Sequence, residues 1–467
     1  MSPTSTGRRR VALRLDRVAE GRPVGAAMSA AARLWWLLRR RDAGRSDPQR
    51  LTTFLAVVAF AVTAAVLLVV LGGVGAFLAR AQDAGVGDTD GLYATLACIA
   101  AGLLAVPLVT LGGAAARLAV ARRDARLAAL RLAGATSSQV GLLTVLDASA
   151  QAAAGAVLGV LGHLLLLPAV MQLRFQGRTF DLAELLLPWW AFPAAVLGTV
   201  VVALLSAVTS LRGVAISPLG VAARVTPRRL HWTRLVPLVV VAAAFAAMFT
   251  FGLAGIAVLA SVLVLGFATL NVVGPWVMSV VGRVVLEFAR RPATLIAARR
   301  VIDSPRTAWR SVGGVSLAVF VAGLSSTAAM FEAAGPGSAE DAALFADLGT
   351  GGFLTLGIAG LLAAVSTAVM QSGRVIDQRG QYRALHLAGT DLRVLDAARR
   401  RETTIPLAAA VVLAASAAGV FMLPVVGTYL FTAVPLVVRF ALGVAATTSL
   451  VVLGSAASRR VVRTVLA

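Results

Sequence analysis

The chain of 467 residues contains no lysine: all 43 of its basic residues are arginine. A phosphate-binding loop of the GxxxxGK[ST] kind needs that lysine, so ATP hydrolysis by this chain itself is excluded as an expectation. One cysteine, Cys98, allows neither an intrachain disulfide nor a CxxC or Cys/His metal cluster. Three scattered histidines make no metal site, and no nucleophile–base constellation is visible. Acids are scarce as well, 21 against the 43 arginines, for a net charge of +22. In a soluble protein that excess would point to nucleic acid. The apolar content points elsewhere.

Hydrophobic residues make up 59% of the chain, and mean hydropathy is +0.87. A soluble domain is about 45–50% apolar. Charge-free runs such as Leu51–Ala79, Gly91–Ala116, Leu185–Leu211 and Leu235–Gly282 reach or exceed the ~20 residues that a membrane-crossing helix needs. Lone strands would leave backbone groups unpaired in lipid, so the spans are helices. The pattern predicts an all-α integral membrane protein with ten transmembrane helices, near 53–79, 91–116, 141–167, 186–211, 235–252, 256–281, 309–331, 350–372, 403–424 and 431–456. The run Leu235–Gly282 is too long for one helix, and Gly252 and Gly255 mark a hairpin within it. The run Thr403–Val438 breaks near Pro424 and Gly427. Residues 1–50 are Arg-rich and far longer than the charged start of a cleavable signal peptide, so none is expected.

Arginine placement gives the orientation. With the N-terminus cytoplasmic, only Arg80, Arg174, Arg178 and Arg439 fall outside cytoplasmic segments, as positively charged residues near membranes prefer. The opposite loops carry the acids Asp83, Asp88, Asp90, Asp181, Glu184, Glu332, Glu340, Asp341 and Asp347. Both termini are therefore expected to be cytoplasmic. The loops opposite are too short for a domain with its own core.

One short segment occurs twice. Leu130, Leu132, Ala133 and Gly134 in LRLAGATSSQV align with Leu385, Leu387, Ala388 and Gly389 in LHLAGTDLRV, and Asp147 aligns with Glu402. The basic lead-in LLRRRDAGRSDPQR before the first span resembles AARRVIDSPRTAWR before the seventh. Both halves begin on the same side, which predicts a parallel repeat about a pseudo-twofold axis along the membrane normal. In each copy the glycine permits a left-handed helix stop. Thr136 or Ser137, and Thr390 or Asp391, are suited to N-cap the next helix. Each copy thus reads as stalk, sharp turn, short surface helix and re-entry.

The segment VARRDARLAALRLAGATSSQV with Asp147 behind it, and VIDQRGQYRALHLAGTDLRV with Glu402 behind it, resemble the motif of the FtsX-like permease family, transmembrane subunits of type VII ABC systems. Arg126 and Gln381 stand where that family usually has Glu. Ten spans with two such repeats are similar to the bacitracin-type subgroup, except that the loop at 332–348 replaces that subgroup's large extracellular domain. The resemblance implies four regions: residues 1–50, a basic cytoplasmic region with an amphipathic surface helix; 51–212, a first FtsX-like four-helix repeat; 213–284, two linking helices; 285–467, a second repeat. It implies a multi-pass protein of the bacterial plasma membrane with no enzymatic activity and no cofactor of its own. ATP and Mg belong to a partner ABC ATPase, two copies per permease chain. No nucleic-acid partner is implied. The ATPase-coupling residues would be Arg131, Leu132, Gly134, Ala135 and Thr136 in the first copy, and Leu387, Gly389, Thr390, Asp391 and Arg393 in the second.

Other polar residues fall inside apolar runs. Asp147 and Glu402 suit a clamp to arginines such as Arg131, Arg400 or Arg401, with a proton or substrate site as the alternative. His163 suits a satisfied polar contact, and Arg439 a side chain reaching the outer interface. Trp35, Trp36, Trp189 and Trp190 suit interfacial anchoring, and Gly155, Gly159 and Gly162 close helix packing. Three functions are compatible with these features. The first is ATP-coupled movement, outward, of a hydrophobic or amphipathic substrate such as an antibiotic or lipid. The second is a regulatory subunit signalling to a sensor kinase or cell-wall hydrolase without transport. The third, a secondary transporter, is disfavoured by the lack of paired ionisable residues at mid-membrane and of clearly broken helices.

Overall fold

The computed structural model describes residues 48–83, 88–120, 137–215, 232–251, 256–326, 339–377, 384–385, 387–427 and 434–466. They form α1 (Pro48–Asp83), α2 (Asp88–Val120), α3 (Ser137–Met171), a hairpin of β1 (Arg174–Phe175) and β2 (Arg178–Thr179), α4 (Leu182–Leu185), α5 (Ala191–Ala215), α6 (Val236–Thr250), α7 (Ile256–Glu287), α8 (Pro292–Asp303), α9 (Pro305–Ser326), α10 (Ala339–Asp377), α11 (Leu392–Val426) and α12 (Val434–Leu466).

Nine helices among the described residues are long and apolar enough to cross a membrane. This is an all-α membrane protein. The segment expected as the fifth of the ten spans forms α6, which has 15 residues and so measures about 22 Å. That is short of the ~30 Å hydrocarbon core. It nevertheless belongs to the bundle, because Phe245 of α6 is buried with its ring centroid 4.9 Å from that of Phe421 in α11. The helix α8 is of a different kind. It buries Ala293, Ala297, Ala298 and Val301 on one side while Arg299 is exposed, so it lies along the bundle against α7 and α11.

Part of the packing recurs in both halves, although the α3–α5 contact of the first has no comparable α11–α12 contact in the second among the described residues. The first helix, α1, packs on α2 and α3, and α2 packs on α5; likewise α9 packs on α10 and α11, and α10 on α12. The halves meet where α2 packs against α10. Small residues bring the axes together. A Cβ on Gly155 of α3 would stand 2.5 Å from Cβ of Phe60 and 2.7 Å from the carbonyl oxygen of Val57 in α1. One turn on, a Cβ on Gly159 would stand 2.7 Å from the carbonyl oxygen of Ala61. Those glycines let backbone meet backbone, which is how helices associate without a hydrophobic drive in lipid. Gly162, the third of the series, is less tight, with Ala65 at 3.5 Å.

Two local expectations change. The fourth span starts at Ala191 rather than 186, because residues 172–190 fold into the hairpin, α4 and a short link. No separate short surface helix comes after the turn at Gly389: α11 runs unbroken from Leu392 to Val426. The run LRVLDAARRRETT between turn and apolar core contains good helix formers and neither Gly nor Pro, so nothing interrupts it. The expected break at the far end is present, with Gly427 at φ +59° as the cap of α11.

Candidate functional site

The arginine-rich end of the second half carries the sharp turn. Gly389 has φ +89°, a conformation glycine adopts without strain. The Ala388 N–H donates to the carbonyl of Ala384 at 2.9 Å, and the Thr390 N–H to that of Leu385 at 3.0 Å. The second of these is the long-range bond of a Schellman stop. Asp391 then caps α11: its carboxylate accepts from the Arg393 N–H at 2.9 Å, satisfying one orphan donor of the new helix. Gly389, Asp391 and Arg393 are exposed, and the Leu387 side chain is 78% exposed. The tip thus presents an apolar knob and charged groups that the rest of the described chain leaves uncovered. The matching residues Arg131, Leu132, Gly134, Ala135 and Thr136 lie outside the described residues, and α3 begins directly after them at Ser137.

Behind the turn, Glu402 is 7% exposed. Its Oε2 lies 3.1 Å from Nη1 of Arg300 on α8, and the neighbouring Arg401 donates to the hydroxyl of Thr294 on the same helix. The clamp expected for Glu402 is therefore present, with Arg300 among its partners; Arg131 lies outside the described residues. The clamp ties α8 to the start of α11. Asp147, in the corresponding place on α3, is half-buried and accepts from Gln151 Nε2 at 2.9 Å. His163 is fully buried. Neither ring nitrogen has a hydrogen-bond partner among the described residues, so the expected satisfied contact is missing; its ring lies 6.1 Å from that of Phe192. Arg439 is half-buried near the start of α12. These four residues do not converge on one site.

The opposite, arginine-poor end carries a feature that local sequence did not disclose. Arg80, one of the four arginines out of place, is the centre of a cap. Its Nε and Nη2 donate to Glu184, the latter at 2.7 Å. Its Nη1 donates to the Phe175 carbonyl and to Gln176 Oε1, each at 3.2 Å, and Nη2 also to the Thr179 carbonyl at 3.0 Å. The guanidinium carbon stands 4.3 Å from the centroid of Phe180. The hairpin can turn tightly because Gln176 and Gly177 both take positive φ, 57° and 74°, as a two-residue hairpin turn of the right twist demands. Burial tends to raise the carboxyl of Glu184, but the Arg80 hydrogen bond outweighs it and holds the group below its ordinary value. The Asp181 N–H and the charge of Arg178 act in the same direction as Arg80. Beneath, Phe77 meets Phe175 and Phe180 edge-on, each at 5.4 Å, and stacks on Tyr93 at 6.1 Å.

Under this cap lies a cavity of about 470 Å³. Its walls come from both halves: α1 and α2 on one side, α9 and α10 on the other, with Phe245 of α6, Leu263 of α7 and Met422 of α11. They are apolar apart from a few groups near the cap, chiefly Tyr93, Ser325 and Asp347. Asp347 ties the rim together, its Oδ2 accepting from the Tyr93 hydroxyl at 2.8 Å and from the Gln176 N–H at 2.7 Å. Asp347 and Glu184 are visible in the sequence only as acids in the facing loops. The misplaced Arg80 was the one signal pointing to a buried partner. Among the described residues no group of three or more His, Cys, Asp or Glu is placed to hold a metal ion.

No curated protein matches this chain, and no solved structure does. The first of the two motif segments does find a relative: the family model described as FtsX-like permease C-terminal matches residues 99–219, from the middle of α2 through α3 and α5. That match supports the FtsX-like permease family, whose members are membrane subunits of ABC transporters that work with separate ATPase subunits and are generally not catalytic themselves.

Proposed function

We propose that this chain is the permease of an ABC exporter in the bacterial plasma membrane, coupling ATP hydrolysis in a separate ATPase to outward movement of a hydrophobic or amphipathic substrate such as an antibiotic or lipid. The observation that carries this reading is the apolar cavity of about 470 Å³ between the two halves, of a size and lining suited to a small apolar ligand. In this reading α6 is the fifth of ten spans, both termini are cytoplasmic, and the shared part of the packing order reflects two FtsX-like repeats about a pseudo-twofold axis. The chain is then a bacitracin-type permease without that subgroup's extracellular domain. The segments around Gly134 and Gly389 each seat in one copy of the ATPase, so the doubled motif matches a twofold motor. Exposure of Leu387, Asp391 and Arg393 at the turn supports this.

The test is to fill the cavity. Gly73 lines it, and a Cβ there would meet nothing within 4 Å, so Gly73→Phe places a ring in the space without displacing backbone. Cells making the permease and its ATPase are assayed for ATP-dependent efflux of a panel of apolar dyes and antibiotics. Transport predicts that Gly73→Phe removes efflux while the permease–ATPase complex still assembles. A purely regulatory subunit predicts no efflux from wild type and no change in signalling from the filled cavity.

A further inference from the structure

Among the described residues, one wall residue of the cavity is charged. Asp347 is the only Asp, Glu or Arg among the described residues of the lining. Its Oδ2 takes two hydrogen bonds from neutral donors, the Tyr93 hydroxyl and the Gln176 N–H. No arginine forms an ion pair with it among the described residues. The nearby Arg80 is fully engaged with the hairpin and Glu184, and Arg178 also faces Glu184, at 3.6 Å.

Aromatic rings complete the setting. Phe77, Tyr93, Phe175, Phe180 and Phe345 all line the outer part of the cavity. Aromatic faces attract cations through their quadrupole and repel anions. A carboxylate at the rim of an apolar chamber, with aromatic rings beside it, favours one kind of guest: an apolar body bearing a positive charge. An anionic lipid would bring a second negative charge beside Asp347 with no cation to offset it, and a neutral apolar guest would leave the carboxylate facing its body.

We infer that the cavity binds hydrophobic cations, amphiphiles whose apolar body fills the space between α1, α2, α9 and α10 and whose positive group sits at Asp347 among the aromatic rings. This rests on the reading of the cavity as a ligand site and adds the charge class of the ligand.

The probes are tetraphenylphosphonium and tetraphenylborate, near-identical in size and apolar surface and opposite in charge, measured by equilibrium binding to the full-length chain in lipid nanodiscs. Three proteins are compared: wild type, Asp347→Asn, which keeps an acceptor for Tyr93 and Gln176 without the charge, and Gly73→Phe. Wild type is expected to bind the phosphonium saturably and the borate no better than empty nanodiscs do. Asp347→Asn should weaken phosphonium binding by about tenfold, the effect of one partly desolvated charge contact. Gly73→Phe should abolish it. If both ions bind equally, Gly73→Phe blocks both and Asp347→Asn changes neither, the cavity is a ligand site without charge selectivity and the inference is overturned while the proposed function stands. If wild type binds neither ion above empty nanodiscs, or Gly73→Phe binds both as wild type does, the cavity reading itself fails.

Discussion

The molecule holds two buried arginine–glutamate pairs among its described residues, one at each end, and they do different work. Arg80–Glu184 closes a loop. The arginine side chain is 2% exposed and all three of its nitrogens donate to the hairpin or to Glu184, so a whole segment hangs on one side chain. Arg300–Glu402 joins two helices. Each partner sits on an element that is already helical for its own reasons, α8 by its alanine face and α11 by its cap at Asp391. The first pair creates structure where the chain alone has none. The second orients structures that exist without it. A capped cavity lies at one end and a strutted turn at the other, which is the division that the proposed function requires.

The largest effect should come from breaking the cap. Arg80→Ala takes the principal partner from the half-buried Glu184 carboxylate and from two backbone carbonyls, a loss expected to cost about 3 kcal/mol. Thermal unfolding of the purified protein should show the loss. Arg80→Lys should recover little of it, since a lysine has no planar fork to span the acceptors that Arg80 reaches. Next comes packing. Gly155→Leu forces a side chain into Phe60 and the Val57 carbonyl, an overpacking expected to cost about 1–3 kcal/mol or more. Gly73→Leu, with open space around it, should leave the midpoint nearly unchanged. Glu402→Gln should be milder in stability, about 1–3 kcal/mol for a buried group left with a poorer partner. If the proposed function holds, its sharper effect should be on coupling: ATP hydrolysis in the assembled complex continues while its response to substrate falls. The smallest effect is the pH response of the cap. Because Arg80 holds the Glu184 carboxyl below its ordinary value near 4.5, its stabilisation is complete above that pH and disappears as pH falls through the lower, folded-state value. The unfolding midpoint should therefore fall more between about pH 5 and pH 3 in wild type than in Glu184→Gln, where this contribution is absent.

Much of this was legible in the sequence, and the parts that were not have a common cause. Hydropathy alone gives the nine long helices, because a run such as Leu51–Ala79 has nowhere to be but in lipid. The turn at Gly389 and its cap at Asp391 were legible because their chemistry is local: an αL residue and an acceptor two residues before a free N–H. The cap over the cavity was not. Arg80 lies 104 residues from Glu184, and Tyr93 lies 254 from Asp347; no local pattern records such pairings. The same distance explains why sequence points Glu402 to other arginines when Arg300, 102 residues away, is the residue that α8 brings alongside. The length of α6 escaped for another reason. Its apolar run continues through Gly252 and Gly255 without a charge to mark where the helix ends.

If the exposed turn is where an ATPase takes hold, Leu387 is the residue to change, since its side chain is 78% exposed and its replacement removes no buried contact in the chain. The measurement is co-purification of an ABC ATPase encoded with the permease, using wild type, Leu387→Asp and Leu361→Ser, a polar change on an exposed membrane face. A stable complex is expected with wild type and with Leu361→Ser, and its loss or marked weakening with Leu387→Asp at unchanged permease yield. Undiminished complex formation by Leu387→Asp, or no complex with wild type, would contradict the coupling role of the turn.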